Sequence, residues 1–162
     1  MVTVEQLREV LSYDKDTGEF YWKKKVANRV SIGDLTGRMQ RGGYLLICIK
    51  NKRYLAHRLA WLYVYGKWPI NQLDHINGIR SDNRICNLRD ATRCNNAQNK
   101  KVQANNKLGV KGVEFHACGK YRSTIWKDNK RYHLGLFDSV EQASAAYAAA
   151  AKKLFGEFAR VE

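Results

Sequence analysis

Oxygen and imidazole donors crowd residues 73–99, where Asp74, His75, Asn77, Asp82, Asn83, Asn87, Asn95, Asn96 and Asn99 share one stretch. Carboxylate and amide oxygens suit a hard divalent cation such as Mg²⁺, which takes oxygen ligands and keeps several waters. A neutral histidine near such a cation can take a proton from water and so make a nucleophile for phosphodiester attack. The chain carries 29 Lys and Arg against 15 Asp and Glu, a formal net charge of +14. In so basic a chain, these groups suit hydrolysis of a nucleic-acid backbone. Composition leaves a second reading open, because asparagine-rich loops are common turn material and can simply tie themselves to backbone. Adjacent strand residues also point to opposite faces, so Asp74 and His75 serve one site only if the strand ends or kinks there. Asn77-Gly78 allows that.

The elements that must hold these groups follow from period and punctuation. A short strand is expected to end at His75, and a loop rich in Gly, Asn and Asp comes next. A second strand is expected over Ile85–Arg89, then a helix from about Ala91 to Asn99. Upstream, Thr3-x-x-Gln6 reads as a capping box for a short helix with Val4, Leu7 and Leu11 on one face. Asp16-Thr17-Gly18 turns into a strand at Glu19–Lys23, and Gly42-Gly43 precedes one at Tyr44–Lys50. Asn51-Lys52 turns tightly into Arg53–Ala56, and a helical pattern then runs from His57 to Tyr65, stopped by Gly66 and Pro69. His57, at the start of that apolar helix, reads as a packing or capping residue. Residues 100–108 form a polar, basic linker. Beyond it, strands are expected near Gly112–His116, Tyr121–Lys127 and Arg131–Phe137, with turns at Gly119 and Asp128-Asn129. A closing helix, Ser139–Leu154, is opened by Ser139-x-x-Gln142 and carries an apolar stripe of Val140, Ala143, Ala146, Tyr147, Ala150 and Leu154. The expected fold class is α+β, in two small modules without internal repeats.

The spacing is more telling than the composition. Asp74-His75, then Asn87 twelve residues after His75, then Asn96 nine further on, resembles the HNH endonuclease motif, in the branch of phage-borne and intron-encoded homing endonucleases. HRLAWLYVYGKWP upstream and LDHINGIRSDNRICNLRDAT extend the resemblance over most of residues 5–99. It implies a ββα-metal arrangement, two short strands and a helix clasping one divalent ion, Mg²⁺ or Mn²⁺. By the same resemblance Asp74 is a metal ligand, His75 the general base, Asn87 the residue that holds the His75 ring by a hydrogen bond, and Asn96 the second protein ligand. Arg80 and Arg84 share the loop and read as phosphate clamps, which fix position without reading sequence. Arg89 and Arg93 read equally as clamps or as solvated surface.

Residues 109–162 alternate cationic and aromatic side chains along three strands, so one face can pack on the alanine-rich helix while the other carries charge. Such a sheet fits a DNA major groove. The stretch GVKGVEFHACGKYRSTIWKDNKRYHLGLFDSVEQASAAYAAAAKKLFGEFARV resembles the Apetala-type DNA-binding domain of plant ethylene-response factors, and more closely its bacterial and phage versions. Gly112-Val113, Tyr121 through Ile125, Leu134-Gly135-x-Phe137 and Ala146-Tyr147 carry the likeness. It implies a three-stranded antiparallel sheet on one helix, with DNA contacts at Lys111, Glu114, His116, Cys118, Thr124, Trp126, Arg131 and His133. Glu114, His116, Cys118 and Trp126 depart from the plant pattern, so the plant target sequence does not carry over.

The division expected is therefore 1–99 as an HNH endonuclease domain, 100–108 as linker and 109–162 as an Apetala-type domain. The expected activity is metal-dependent, homing-type cleavage of double-stranded DNA, by nicking, as a monomer and without a small-molecule cofactor. A non-catalytic DNA-binding protein such as a phage transcription factor is the alternative, and an RNA-binding protein a third. Residues 1–100 are net +9 and 101–162 net +5, so neither part is an acidic regulator of the other. Basic residues scattered over strands and turns disfavour a membrane surface. Apolar runs fall far short of the about 20 residues of a membrane span, and MVTVEQLREV lacks a signal peptide's apolar core. A cytoplasmic protein of a bacterial host, encoded by a phage or mobile element, is expected. Cys48, Cys86, Cys94 and Cys118 include no C-x-x-C pair and read as reduced thiols, three of them half-buried.

Overall fold

The computed structural model describes residues 1–92, 95, 96, 102 and 106–159. Arg93, Cys94 and most of the expected 91–99 helix and 100–108 linker lie outside the described residues. The chain is a mixture of helices and small antiparallel sheets, in two compact units, Met1–Arg93 and Cys94–Glu162.

In the first unit, helix α1 (Val4–Val10) starts at a full capping box: Gln6 N donates to Thr3 Oγ1, and Thr3 N donates to Gln6 Oε1. Strands β1 (Leu11–Tyr13), β2 (Phe20–Trp22) and β3 (Leu35–Thr36) form one sheet in that order. A second sheet holds β4 (Arg38–Met39), β5 (Leu45–Ile49) and β6 (Lys52–Leu55). The β5–β6 turn is Lys50-Asn51, both at positive φ (48° and 61°), one residue earlier than the sequence pattern indicates. Two left-handed residues match the twist of the flanking strands. Helix α2 (Ala56–Tyr65) ends at Gly66, φ 71°, whose N–H bonds Leu62 O. Leu7, Leu11, Phe20, Trp22, Ile47, Leu59, Leu62 and Leu88 build one core from these pieces.

Strands β7 (Gln72–His75) and β8 (Leu88–Ala91) pair antiparallel in the register Asp74↔Arg89 and His75↔Leu88. The expected second strand at Ile85–Arg89 is corrected: Ile85–Asn87 is a turn of 3₁₀ helix, and the strand begins at Leu88. Asn87 N donates to Arg84 O, which closes the chain into that turn before the ladder starts. Ala91, expected in a helix, ends the strand.

In the second unit β9 (Val113–Phe115), β10 (Tyr121–Lys127) and β11 (Lys130–Phe137) form an antiparallel sheet with β10 in the middle. Helix α3 (Val140–Phe155) is capped by Ser139, whose Oγ accepts from Gln142 N. Its Tyr147 and Ala151 pack on Ile125 and Leu134. Gly112, at φ 71°, is the close approach here: a Cβ would fall on the Tyr147 ring.

Among the described residues no helix is long and apolar enough to cross a membrane. Cys48, Cys86 and Cys118 are in no disulfide and are exposed rather than half-buried, because each sits on the solvent side of its strand or turn.

Candidate functional site

The loop between β7 and β8 is closed by its own amides. Asn87 Nδ2 donates to Asn77 Oδ1 (3.0 Å) and Asp82 O (2.9 Å), while Asn87 Oδ1 accepts from Asn77 N (3.0 Å). Asn77 Nδ2 donates to Asp82 Oδ2 at 2.7 Å, and Gly78 N donates to His75 O. Asn87 therefore clasps the loop rather than bonding the His75 ring, which corrects the role implied by resemblance. Its donors and acceptor face back along the loop because it sits in the 3₁₀ turn, not on a strand. Tyr13 Oη donates to Asn83 O (2.8 Å), which anchors the same loop to β1.

Asp74 and His75 are both buried, at 5% and 4% exposure, and find different surroundings. Asp74 Oδ2 accepts from Arg89 Nε (3.0 Å) and Nη2 (2.7 Å), its cross-strand partner. Arg89 is thus an internal counter-ion rather than a clamp or a solvated surface residue, 13% exposed. The His75 ring lies edge-on to His57, centroids 5.0 Å apart, and 6.0 Å from Tyr44, which in turn is 5.3 Å from His57. Burial holds the His75 imidazole below its ordinary 6.5, against upward pulls from Asn83, Asp74 and Asp82.

The two loop arginines are already engaged. Arg80 lies 5.0 Å over the Tyr44 ring and donates to Gly42 O (2.9 Å). Arg84 grips both oxygens of Asp82, and its hydrogen bonds hold that carboxyl at about 2. Asn96 is helical and half-buried, and it belongs to the second unit. Among the described residues no three His, Cys, Asp or Glu gather into a metal cluster. The side-chain oxygens of Asp74 and of Asn96 are each of the donor type that a hard ion takes.

In the second unit the register sets Glu114↔Arg122, Thr124↔His133 and Trp126↔Arg131 across the sheet. Val113, Ser123 and Ile125, on the alternate positions, are buried on the α3 side. Glu114, Trp126, Arg131 and His133 therefore share the open face, with Thr124 8% exposed between them. Lys111 precedes β9, and His116 and Cys118 occupy the turn after it, Nδ1 and Sγ 3.0 Å apart. Desolvation pulls the Glu114 carboxyl up, but Arg122 and Arg131 more than reverse this and hold it below its ordinary value.

Comparison with known proteins bears on the first of these sites. Residues 54–98 match the HNH endonuclease family. The matched segment contains His57, Asp74, His75, Asn87 and Asn96. The chain is also 31% identical over 120 residues to an uncharacterized HNH endonuclease of Acanthamoeba polyphaga mimivirus, over 74% of this chain. It spans 62% of that relative's length. No solved structure matches the chain.

Within the matched segment, His57 is a residue whose place in the site the sequence does not announce. It is buried at 5% exposure, as a packing residue would be, but what it packs against is His75. Burial, then His75 and Arg58, push its imidazole from 6.5 down to about 3. Below 6.5 the unfolded chain takes up a proton that the folded one refuses until about pH 3, so stability falls as pH drops through that window. This group should contribute a slope approaching about 1.4 kcal/mol per pH unit. Urea midpoints between pH 4 and 7 should fall less steeply in His57→Phe, and an unchanged slope would refute the assignment.

Proposed function

We propose that the chain is a metal-dependent DNA endonuclease of the homing type that nicks double-stranded DNA as a monomer. The observation that carries this reading is the buried Asp74-His75 pair at the end of β7, inside the segment that matches the HNH endonucleases. The viral relative, itself named an HNH endonuclease, supports a DNA-cleaving hydrolase and fits a phage or mobile-element origin. Residues 1–99 would cut, 100–108 would link, and 109–162 would hold the DNA.

In this mechanism His75 is the general base. Burial keeps its imidazole neutral at pH 7, so it can take a proton from the attacking water as the phosphorus–oxygen bond forms and the 3′ oxygen leaves. Asp74 and Asn96 would hold one divalent ion, Mg²⁺ or Mn²⁺, which when bound supplies Lewis-acid stabilisation of charge on the phosphate. Asn87 keeps the loop closed beneath the site, and Arg80 and Arg84 would exchange their contacts with Gly42 O and Asp82 for phosphates. On the sheet, Lys111, Glu114, His116, Thr124, Trp126, Arg131 and His133 would meet the DNA.

Supercoiled plasmid tests this directly. Conversion to open circles should occur with Mg²⁺ or Mn²⁺ and stop in EDTA. DNA binding without conversion, on plasmids carrying the flanks of the gene's own insertion site as well as on others, would favour a purely DNA-binding role.

A further inference from the structure

On a face that meets a polyanion, a central carboxylate needs a reason. Glu114 stands on the open side of β9, opposite Arg122, its side chain 46% exposed. Its Oε1 accepts from Arg122 Nε (2.8 Å), and Arg122 Nη2 lies at the same distance. Arg131 Nη2, reaching over β10 from β11, closes on that oxygen too and lies 3.5 Å from Thr124 Oγ1. Both arginines bond Glu114 at Oε1, so among the described residues Oε2 is left to meet whatever approaches the sheet.

We propose that Glu114 is a selectivity residue, which rejects DNA held by its phosphates alone and holds Arg122 and Arg131 as a fixed pair for base edges. The proposal rests on the reading of this sheet as DNA-binding. Two guanidinium groups sharing one carboxylate are partly neutralised and cannot each swing to a phosphate without leaving it. A phosphate approaching Oε2 brings anion against anion, whereas a base amine in the major groove brings a donor that Oε2 can accept. Discrimination built from an unfavourable contact with the wrong ligand is a general device of selective interfaces. Arg131 is held from two sides, by Glu114 and Thr124, so its donors keep one direction when DNA arrives.

The test uses the full-length protein in EDTA, with random-sequence duplex DNA as the probe and fluorescence anisotropy over a salt series. Glu114→Gln keeps the side chain's shape and removes its charge. It should bind the random duplex about tenfold more tightly at 0.1 M salt, with log K against log salt steeper by about one, the signature of one more phosphate contact. Glu114→Ala should behave likewise, and circular dichroism confirms that both fold. From a pool of randomised duplexes, wild type should enrich a narrower set of sequences than either variant. Affinity and slope unchanged or reduced in both variants would overturn the proposal. The DNA-binding reading fails separately: Trp126→Ala with Arg131→Ala would then leave duplex affinity as it was, whatever Glu114 does.

Discussion

His75→Ala should lower metal-dependent nicking of supercoiled DNA by about 10²–10⁴-fold, the usual worth of a positioned general base, while duplex affinity stays close to wild type. The separation follows from burial and charge. His75 is 4% exposed and its pKa is depressed, so at pH 7 it offers neither a cation nor contact area to the DNA backbone. Loss of the ring leaves space beside His57 and Tyr44, and His75→Gln fills more of it without restoring a base. Nicking assays and anisotropy on the same preparations decide the matter. Parallel loss of cleavage and binding in both variants would remove His75 from the role of base and make it a structural residue of the loop.

Arg89→Met should destabilise the first unit by about 3–5 kcal/mol, the cost of leaving a buried charge without its counter-ion. Asp74 and Arg89 are 5% and 13% exposed at the side chain, and both Arg89 nitrogens in the pair converge on one carboxylate oxygen. Arg89→Lys should recover only part of the loss, because an ammonium cannot reproduce the fork. Unfolding can be followed by tryptophan fluorescence, since Trp22, Trp61 and Trp68 lie in this unit and Trp126 in the other. A midpoint unchanged in Arg89→Met would show that the pair is incidental and return Arg89 to the phosphate clamps.

The parts of the fold legible in the sequence are those with local causes. Thr3 and Gln6 cap α1 from three residues apart, Gly66 stops α2 by its left-handed φ, and Asp128-Asn129 turn β10 into β11 at φ 50° and 60°. Strands as short as β1, β3 and β4 are not legible, because a run of two or three residues holds no readable period. In the site, Asp74 and His75 stood out by type and spacing, but their partners are set by register and packing. Arg89 is fifteen residues from Asp74 and meets it only because β7 and β8 pair as they do. His57 comes from another helix, and no spacing along the chain announces that its ring rests on His75. The resemblance points Asn87 at the histidine, yet its amide serves the loop, a choice made by the 3₁₀ turn beneath it.

The clasped loop also bears on how the protein ages. An asparagine followed by glycine is the backbone step most open to deamidation, because the glycine nitrogen can swing onto the side-chain carbonyl and close a succinimide. Asn77-Gly78 is such a step, beside the histidine at the heart of the site. Here Asn77 Oδ1 is held by Ile79 N and Asn87 Nδ2, its Nδ2 by Asp82, and Gly78 N by His75 O. Neither reacting atom is at liberty to turn toward the other. The network that shapes the loop thereby shields its most perishable residue, and partial unfolding would set the chemical clock running where an isoaspartate would do most harm.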